Sequence, residues 1–186
     1  MEFEKKNPKI FIISGKARSG KGEVSQIIKN YYSNYKTIII SFGHYIKDYA
    51  KRVSDWDGSE ETKPRELLQH LGIELIKNKI NNKLFINRIL EDIQVFSYFY
   101  DIIVINDARL IDEVETLKSE YPNSVSIRVN RLNFENGLTQ KENKHKTETD
   151  LDNYDNFDYI ISNSTYEKLK EEVVNILSEV DLWVFK

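Results

Sequence analysis

The feature that most narrows what this chain can become is one run of eight residues, Gly15-Lys16-Ala17-Arg18-Ser19-Gly20-Lys21-Gly22. The apolar, β-branched stretch 9–14 precedes it. After it comes 21–32, where Val24, Ile27, Ile28 and Tyr31 recur at helical spacing. Gly at the first position and Gly-Lys at the sixth and seventh, set between a strand and a helix, form the pattern of a phosphate-binding loop. The physics asks for this arrangement. Glycine lets the backbone wrap closely round an anion, successive N–H groups converge on it, and the helix N-terminus adds a favourable field. Lys21 then supplies a point charge to the β- and γ-phosphates of a nucleotide. In one place the chain departs from the pattern. Where Ser or Thr helps to hold Mg²⁺, this chain has Gly22 and then Glu23. Three readings stay open: magnesium held through water and Asp107, magnesium helped by Glu23, or nucleotide bound without efficient transfer.

Around the loop, apolar runs alternate with helical patterns. Strands are expected over 9–14, 37–42, 101–106, 124–130 and 157–162, and that alternation predicts an α/β sheet of parallel strands. Helices are expected over 21–32, 84–99, 111–121 and 166–180. A further one is opened by Pro64 as its first residue, with Leu67, Leu68, Leu71, Leu75 and Ile76 as its apolar stripe. With 186 residues the chain suits one domain. Two polar stretches, 54–63 and 131–150, break the alternation and read as functional loops inserted into that domain.

The third strand carries the second signal, Asp107-Ala108-Arg109 at its C-terminal end. Ligands of open α/β sheets bind outside the carboxyl ends of strands, which brings Asp107 and Arg109 towards the phosphate loop. Asp107 there can orient magnesium or its waters, and Arg109 can neutralise a phosphate. The plainer alternative makes Asp107 an N-cap of the following helix. Arg65 and Gln69, four apart, share a helix face, as phosphate and base contacts or as an ordinary solvated surface.

Composition removes other classes. Lys+Arg number 27 against 30 Asp+Glu, a net charge of −3, so a dedicated nucleic-acid-coating protein is disfavoured. Cysteine is absent, which excludes disulfide scaffolds, thiolate metal sites and cysteine nucleophiles. No apolar run approaches the ~20 residues of a membrane span, and no targeting signal is visible, so a soluble cytoplasmic protein is expected. Clustered aromatics (Tyr31, Tyr32 and Tyr35; Phe96, Tyr98, Phe99 and Tyr100) are expected to pack in the core and at the sheet edge. The apolar tail Leu182-Trp183-Val184-Phe185 is expected to dock on the body or meet a second subunit.

With these residues assembled, the chain resembles the deoxynucleoside monophosphate kinases of phage and bacterial type, within the P-loop nucleoside monophosphate kinases. The resemblance runs from Ile10 to about Val180. It rests on Ser14 to Lys21, on Lys63-Pro64-Arg65-Glu66-Leu67-Leu68-Gln69-His70-Leu71-Gly72, on Asp107-Ala108-Arg109 with Glu113, and on His145 to Glu148 followed by Phe157-Asp158-Tyr159-Ile160-Ile161 and Asn163. The family usually has Asp where this chain has Gly22. Animal-type phosphomevalonate kinases are similar in plan, and Leu151-Asp152-Asn153-Tyr154 looks like their motif as well.

The resemblance implies a three-layer P-loop NTPase fold with a five-stranded parallel sheet of order 2-3-1-4-5, an acceptor-binding helical region over about 43–80 and a lid over about 131–146. It implies ATP as phosphate donor, Mg²⁺ as cofactor, and a small-molecule acceptor, a nucleoside monophosphate, in a monomer or homodimer with no nucleic-acid or membrane partner. Lys21 and the amides of Gly15 to Gly22 would hold the donor phosphates, with Glu23 beside them and adenine near Asn163 and Ser164. Lys47, Arg65, Gln69, Arg109 and His145 would face the acceptor, and Asp107 would orient the metal. Arg18 and the lid cation Arg131 would gather charge in the transition state. Transfer to a monophosphate needs no general base, because the attacking oxygen is already anionic. Two alternatives remain beside it: a phosphomevalonate kinase-like enzyme and an ATP-binding module without catalysis.

Overall fold

The computed structural model describes residues 2–131 and 134–184, with side chains as far as Val180. The side chains of the 182–185 tail lie outside the described residues. Five strands, β1 (Lys9–Ser14), β2 (Thr37–Ile40), β3 (Ile102–Ala108), β4 (Val125–Asn130) and β5 (Tyr159–Ser162), form one parallel sheet in the order β2-β3-β1-β4-β5. That order is the one expected.

The period of two along a strand divides the core into two layers. On β1, Ile10 and Ile12 face α4 (Leu84–Phe96) and α5 (Ile111–Glu120), where Ile86, Ile89, Ile93, Val114 and Leu117 are buried. Phe11 and Ile13 point the other way, onto Val24, Ile27 and Ile28 of α1 (Lys21–Tyr31) and Leu169, Val173 and Leu177 of α8 (Tyr166–Val184). A central strand covered on both faces must be apolar throughout, which is why 10–13 reads as an unbroken run.

Several boundaries shift, each for a physical reason. β2 ends at Ile40, because Phe42 already begins a helix that the sequence reading missed, α2 (Phe42–Val53). The predicted helix after Pro64 is α3 (Arg65–Gln69), with Pro64 as its cap rather than its first residue. It runs on as a π-helix over His70–Ile80, whose wider winding turns the expected apolar stripe. Gly72 and Ile76 are buried there, whereas Leu75 is exposed. Tyr31, Tyr35, Tyr98 and Phe99 are exposed rather than buried, although Tyr31 and Tyr35 meet Tyr32 edge-on and Phe99 meets Phe3. Two one-turn helices, α6 (Gln140–Asn143) and α7 (Lys146–Thr149), interrupt the polar stretch before β5. Among the described residues no helix is long and apolar enough to cross a membrane.

One irregularity matters for the site. Between β1 and β3 the register passes from Ile12↔Ile105 to Ser14↔Ala108, so β3 carries one extra residue there. The bulge breaks the strict alternation, and Asn106 and Asp107 both end up half-buried on the wall of the same cavity.

Glu113 closes the turn that follows. Its carboxylate accepts N–H bonds from Arg109 at 2.8 Å and Leu110 at 3.1 Å, and burial lifts its carboxyl to about 8 despite them. A carboxyl that holds its proton longer folded than unfolded costs stability as pH rises. The protein is therefore expected to lose stability relative to Glu113→Gln between the ordinary carboxylate value and pH 8. Thermal melts of both proteins across that range check it.

Candidate functional site

The C-terminal ends of β1 and β3 open onto a cavity of about 980 Å³. Its floor is the phosphate loop. Gly15 and Gly20 have φ of 155° and 107°, and neither has space for a side chain. A Cβ on Gly15 would lie 2.4 Å from Ser19 Oγ, and one on Gly20 would lie 2.3 Å from Asn163 Nδ2. Arg18 takes a left-handed conformation, with φ of 58°, at the crown of the loop. Ser19 Oγ is buried and makes no hydrogen bond among the described residues, so the loop presents an unpaired hydroxyl donor as well as its amides.

Lys21 is buried under the loop, with Nζ donating to the carbonyls of Gly15 (2.8 Å) and Lys16 (2.7 Å). Burial first, and Arg109 second, push its ammonium down to about 7, while Asp107 and Glu148 act against that fall. Arriving phosphates would supply the anion it lacks.

Asp107 does cap a helix, though not the one that follows it. Its Oδ1 accepts from Phe42 N and its Oδ2 from Gly43 N, both at 2.8 Å, so it caps α2 across the sheet. Arg109 reaches the cavity with Nη1 bonded to Glu148 Oε1, and Glu148 Oε2 accepts the Ala17 N–H at 2.8 Å. The opposite wall comes from α2, the turn at Lys63, α3, the π-helix and the start of α4. Lys47, Lys63, Arg65, Gln69 and Lys77 line it together with the apolar Ile46, Leu68, Ile73 and Phe85. Lys47 and Lys63 share Glu60 at 3.6 and 2.9 Å, and Lys77 pairs with Asp112 at 2.6 Å. The Arg65 guanidinium and Gln69 amide line the cavity and make no hydrogen bond among the described residues.

Residues 17–23, Lys47, Arg65, Gln69, Asp107 and Arg109 are thus brought to one cavity, and other expected residues stand outside its lining. Gly15 and Lys16 form the root of the loop, and Lys16 Nζ pairs with Asp152 at 2.8 Å. The Asn163 amide donates to Ser19 O at 2.8 Å, so it backs the loop. Arg131 donates to Arg18 O and stacks on Phe134 at 3.7 Å, while Arg18 itself donates to Asn136 O, 3.0 Å away. His145 caps α7 through Thr147 and does not line the cavity.

Sequence reasoning gave no role to Glu148, Asp152 or Arg128. Arg128 had a readable signal, a charge inside a buried strand. Its Nη1 donates to Ser14 Oγ at 3.0 Å, directly beneath the loop. Among the described residues no group of three or more His, Cys, Asp or Glu side chains could hold a metal ion by itself.

Neither a protein-family model nor a curated protein matches the chain. Solved structures do, over nearly the whole length. They include a gluconokinase from Sinorhizobium meliloti 1021 (13% identity, TM-score 0.55, covering 96% of this chain and 98% of that one) and a shikimate kinase from Aquifex aeolicus vf5 (12%, 0.53, 93% and 98%). A third is the Mycobacterium tuberculosis APS kinase in complex with AMPPNP and APS (9%, 0.57, 93% and 99%). The chain has the P-loop kinase fold. At such identities the likeness is one of fold, and the acceptor must be argued from the cavity itself.

A group that is half neutral near pH 7 becomes charged when an anion joins it. Binding of a polyphosphate such as ATP at pH 8 is therefore expected to take up about one proton, read by calorimetry in buffers of different ionisation enthalpy. Lys21→Met should abolish the uptake. Undiminished uptake in the variant would assign it to another group.

Proposed function

We propose that this protein is an ATP-dependent kinase that phosphorylates a nucleoside monophosphate, with a deoxynucleotide as the preferred class. The observation that carries the acceptor is the mixed wall opposite the phosphate loop. Free cationic and amide groups, Arg65 and Gln69, stand there beside apolar surface from Ile46, Leu68, Ile73 and Phe85. A phosphate with a base attached fits that mixture. A small polyanion alone would need the cations and not the apolar side.

In this reading an oxygen of the acceptor phosphate attacks the γ-phosphorus in line, the bond from γ-phosphorus to the β–γ bridging oxygen breaks, and ADP leaves. No proton need be removed first, so the work is positioning and charge neutralisation. The loop amides, Ser19 Oγ and Lys21 bind the donor phosphates. Arg109 and Arg65 hold the acceptor phosphate, and Arg18 adds charge from the crown of the loop.

The donor set fits a magnesium ion that keeps mostly water and phosphate ligands, since each Asp107 oxygen accepts one amide and retains acceptor capacity. Asp107 would hold it through water, with Glu23 lining the same cavity, and the ion would supply charge neutralisation on the β- and γ-phosphates. At Gly22 a Cβ would meet nothing within 4 Å, so the missing hydroxyl is not imposed by lack of space.

The test is ADP release with ATP and Mg²⁺ over a panel of ribo- and deoxynucleoside monophosphates, with phosphomevalonate as the outsider. Turnover on one or a few deoxynucleotides is expected. Arg65→Ala should raise the acceptor KM about tenfold or more with a smaller change in kcat. Turnover on phosphomevalonate alone would move the acceptor to that class. ATP binding without turnover, with transfer gained in Gly22→Ser, would mark a binding module.

A further inference from the structure

Glu148 is a carboxylate in an improbable place. It sits in the one-turn helix α7, its side chain is only 3% exposed, and it lies against the phosphate loop of a site built to attract anions. Burying it demands partners. It has one for each oxygen: Oε2 takes the Ala17 amide at 2.8 Å, and Oε1 takes Arg109 Nη1. One carboxylate therefore fixes the crown of the loop and the arginine at the end of β3 to each other. The main chain of Arg109 is pinned separately, with N donating to Glu113 at 2.8 Å.

What remains of Arg109 is informative. Its Nε and Nη2 make no hydrogen bond among the described residues, and the residue lines the cavity. The guanidinium is held by one arm with its other donors open, the posture of a fork presented to a phosphate. Arg128 behaves differently: it is spent on Ser14 at 3.0 Å and Asp152 at 3.8 Å, and it does not line the cavity. Four residues after Glu148, Asp152 also takes Lys16 Nζ at 2.9 Å, so one short segment grips two successive loop residues.

We propose that Glu148 is a positioning residue which acts through Arg109, presenting its free donors to the phosphate that accepts or carries the transferred group. For turnover this rests on the kinase reading above; for anion binding it does not. The opposite idea treats Glu148 as a stand-in for phosphate, to be displaced when the ligand arrives. That would require Arg109 to be freed before it could bind, whereas its donors are already open.

The experiment is a double-mutant cycle of Glu148→Gln, Arg109→Ala and the pair, with Glu148→Asp as the conservative variant. It is read by calorimetric affinity for inorganic tripolyphosphate and by kcat with the acceptor found in the panel. Arg109→Ala is expected to weaken tripolyphosphate about tenfold, Glu148→Gln somewhat less, and the pair no more than Arg109→Ala alone. Turnover should fall about 10- to 100-fold in Glu148→Gln, recover partly in Glu148→Asp, and be insensitive to Glu148 once Arg109 is gone. Losses that simply add would overturn the proposal, since Glu148 would then act independently of Arg109. Tighter tripolyphosphate binding in Glu148→Gln would also overturn it, in favour of the stand-in. If no acceptor turns over, the kinase reading falls, and the tripolyphosphate cycle still decides what Glu148 does.

Discussion

An ammonium group removed from water and hydrogen-bonded to two carbonyls governs this molecule. Lys21 rests on the Gly15 and Lys16 carbonyls, and burial erodes its charge. A cation so placed is costly unless anions stand near it. Asp107 and Glu148 provide negative field, and Arg109 and Arg128 oppose it. The arrangement leaves room for one more source of negative charge. A phosphate would supply it, and would also meet the loop amides and the unpaired Ser19 hydroxyl.

Bringing those groups together is the work of the sheet. They come from stretches far apart in sequence, and a parallel sheet delivers their strand ends to one edge. The bulge in β3 refines this by putting Asn106 and Asp107 on the same wall, where strict alternation would have separated them. Asp107 then has two tasks. It holds the start of α2, and so the wall opposite the loop, to the end of β3, just before Arg109. Floor and wall of the cavity are joined through one carboxylate.

The order of the sheet and the phosphate loop were legible because their signals are local and redundant: unbroken apolar strands, glycines at fixed offsets, a helix directly after. α2 was hidden although Phe42, Tyr45, Ile46, Tyr49, Ala50 and Val53 fall at helical spacing and Ser41 stands at its N-cap, because the single serine is easily read as part of an apolar strand running from Thr37 to Phe42, and its side chain makes no cap bond. Its cap comes from Asp107, 65 residues away from Phe42. The π-helix was illegible because its onset changes the period that a stripe is read against. At the site, short-range motifs pointed to Lys21, Asp107 and Arg109, which line one cavity, and gave no role to Glu148, which bonds Arg109 and the loop. Asn163, His145 and Arg131, expected from the resemblance as ligand contacts, bond here to groups of the protein itself.

The position of β1 at the centre of the sheet also fixes when the loop can exist. β1 pairs with β3 and β4, and no strand made earlier or next in the chain touches it. During synthesis the first hundred residues thus contain the whole phosphate motif and neither of the strands that flatten it into shape. The props behind it, Glu148, Asp152 and Asn163, emerge later still. Non-local pairing of this kind closes long loops before any contact repays the entropy. A nascent or truncated chain lacking those segments would carry the glycine-lysine motif in its sequence without the strands and side chains that shape it, so the form of the loop belongs to the later-made half of the chain as much as to the motif itself.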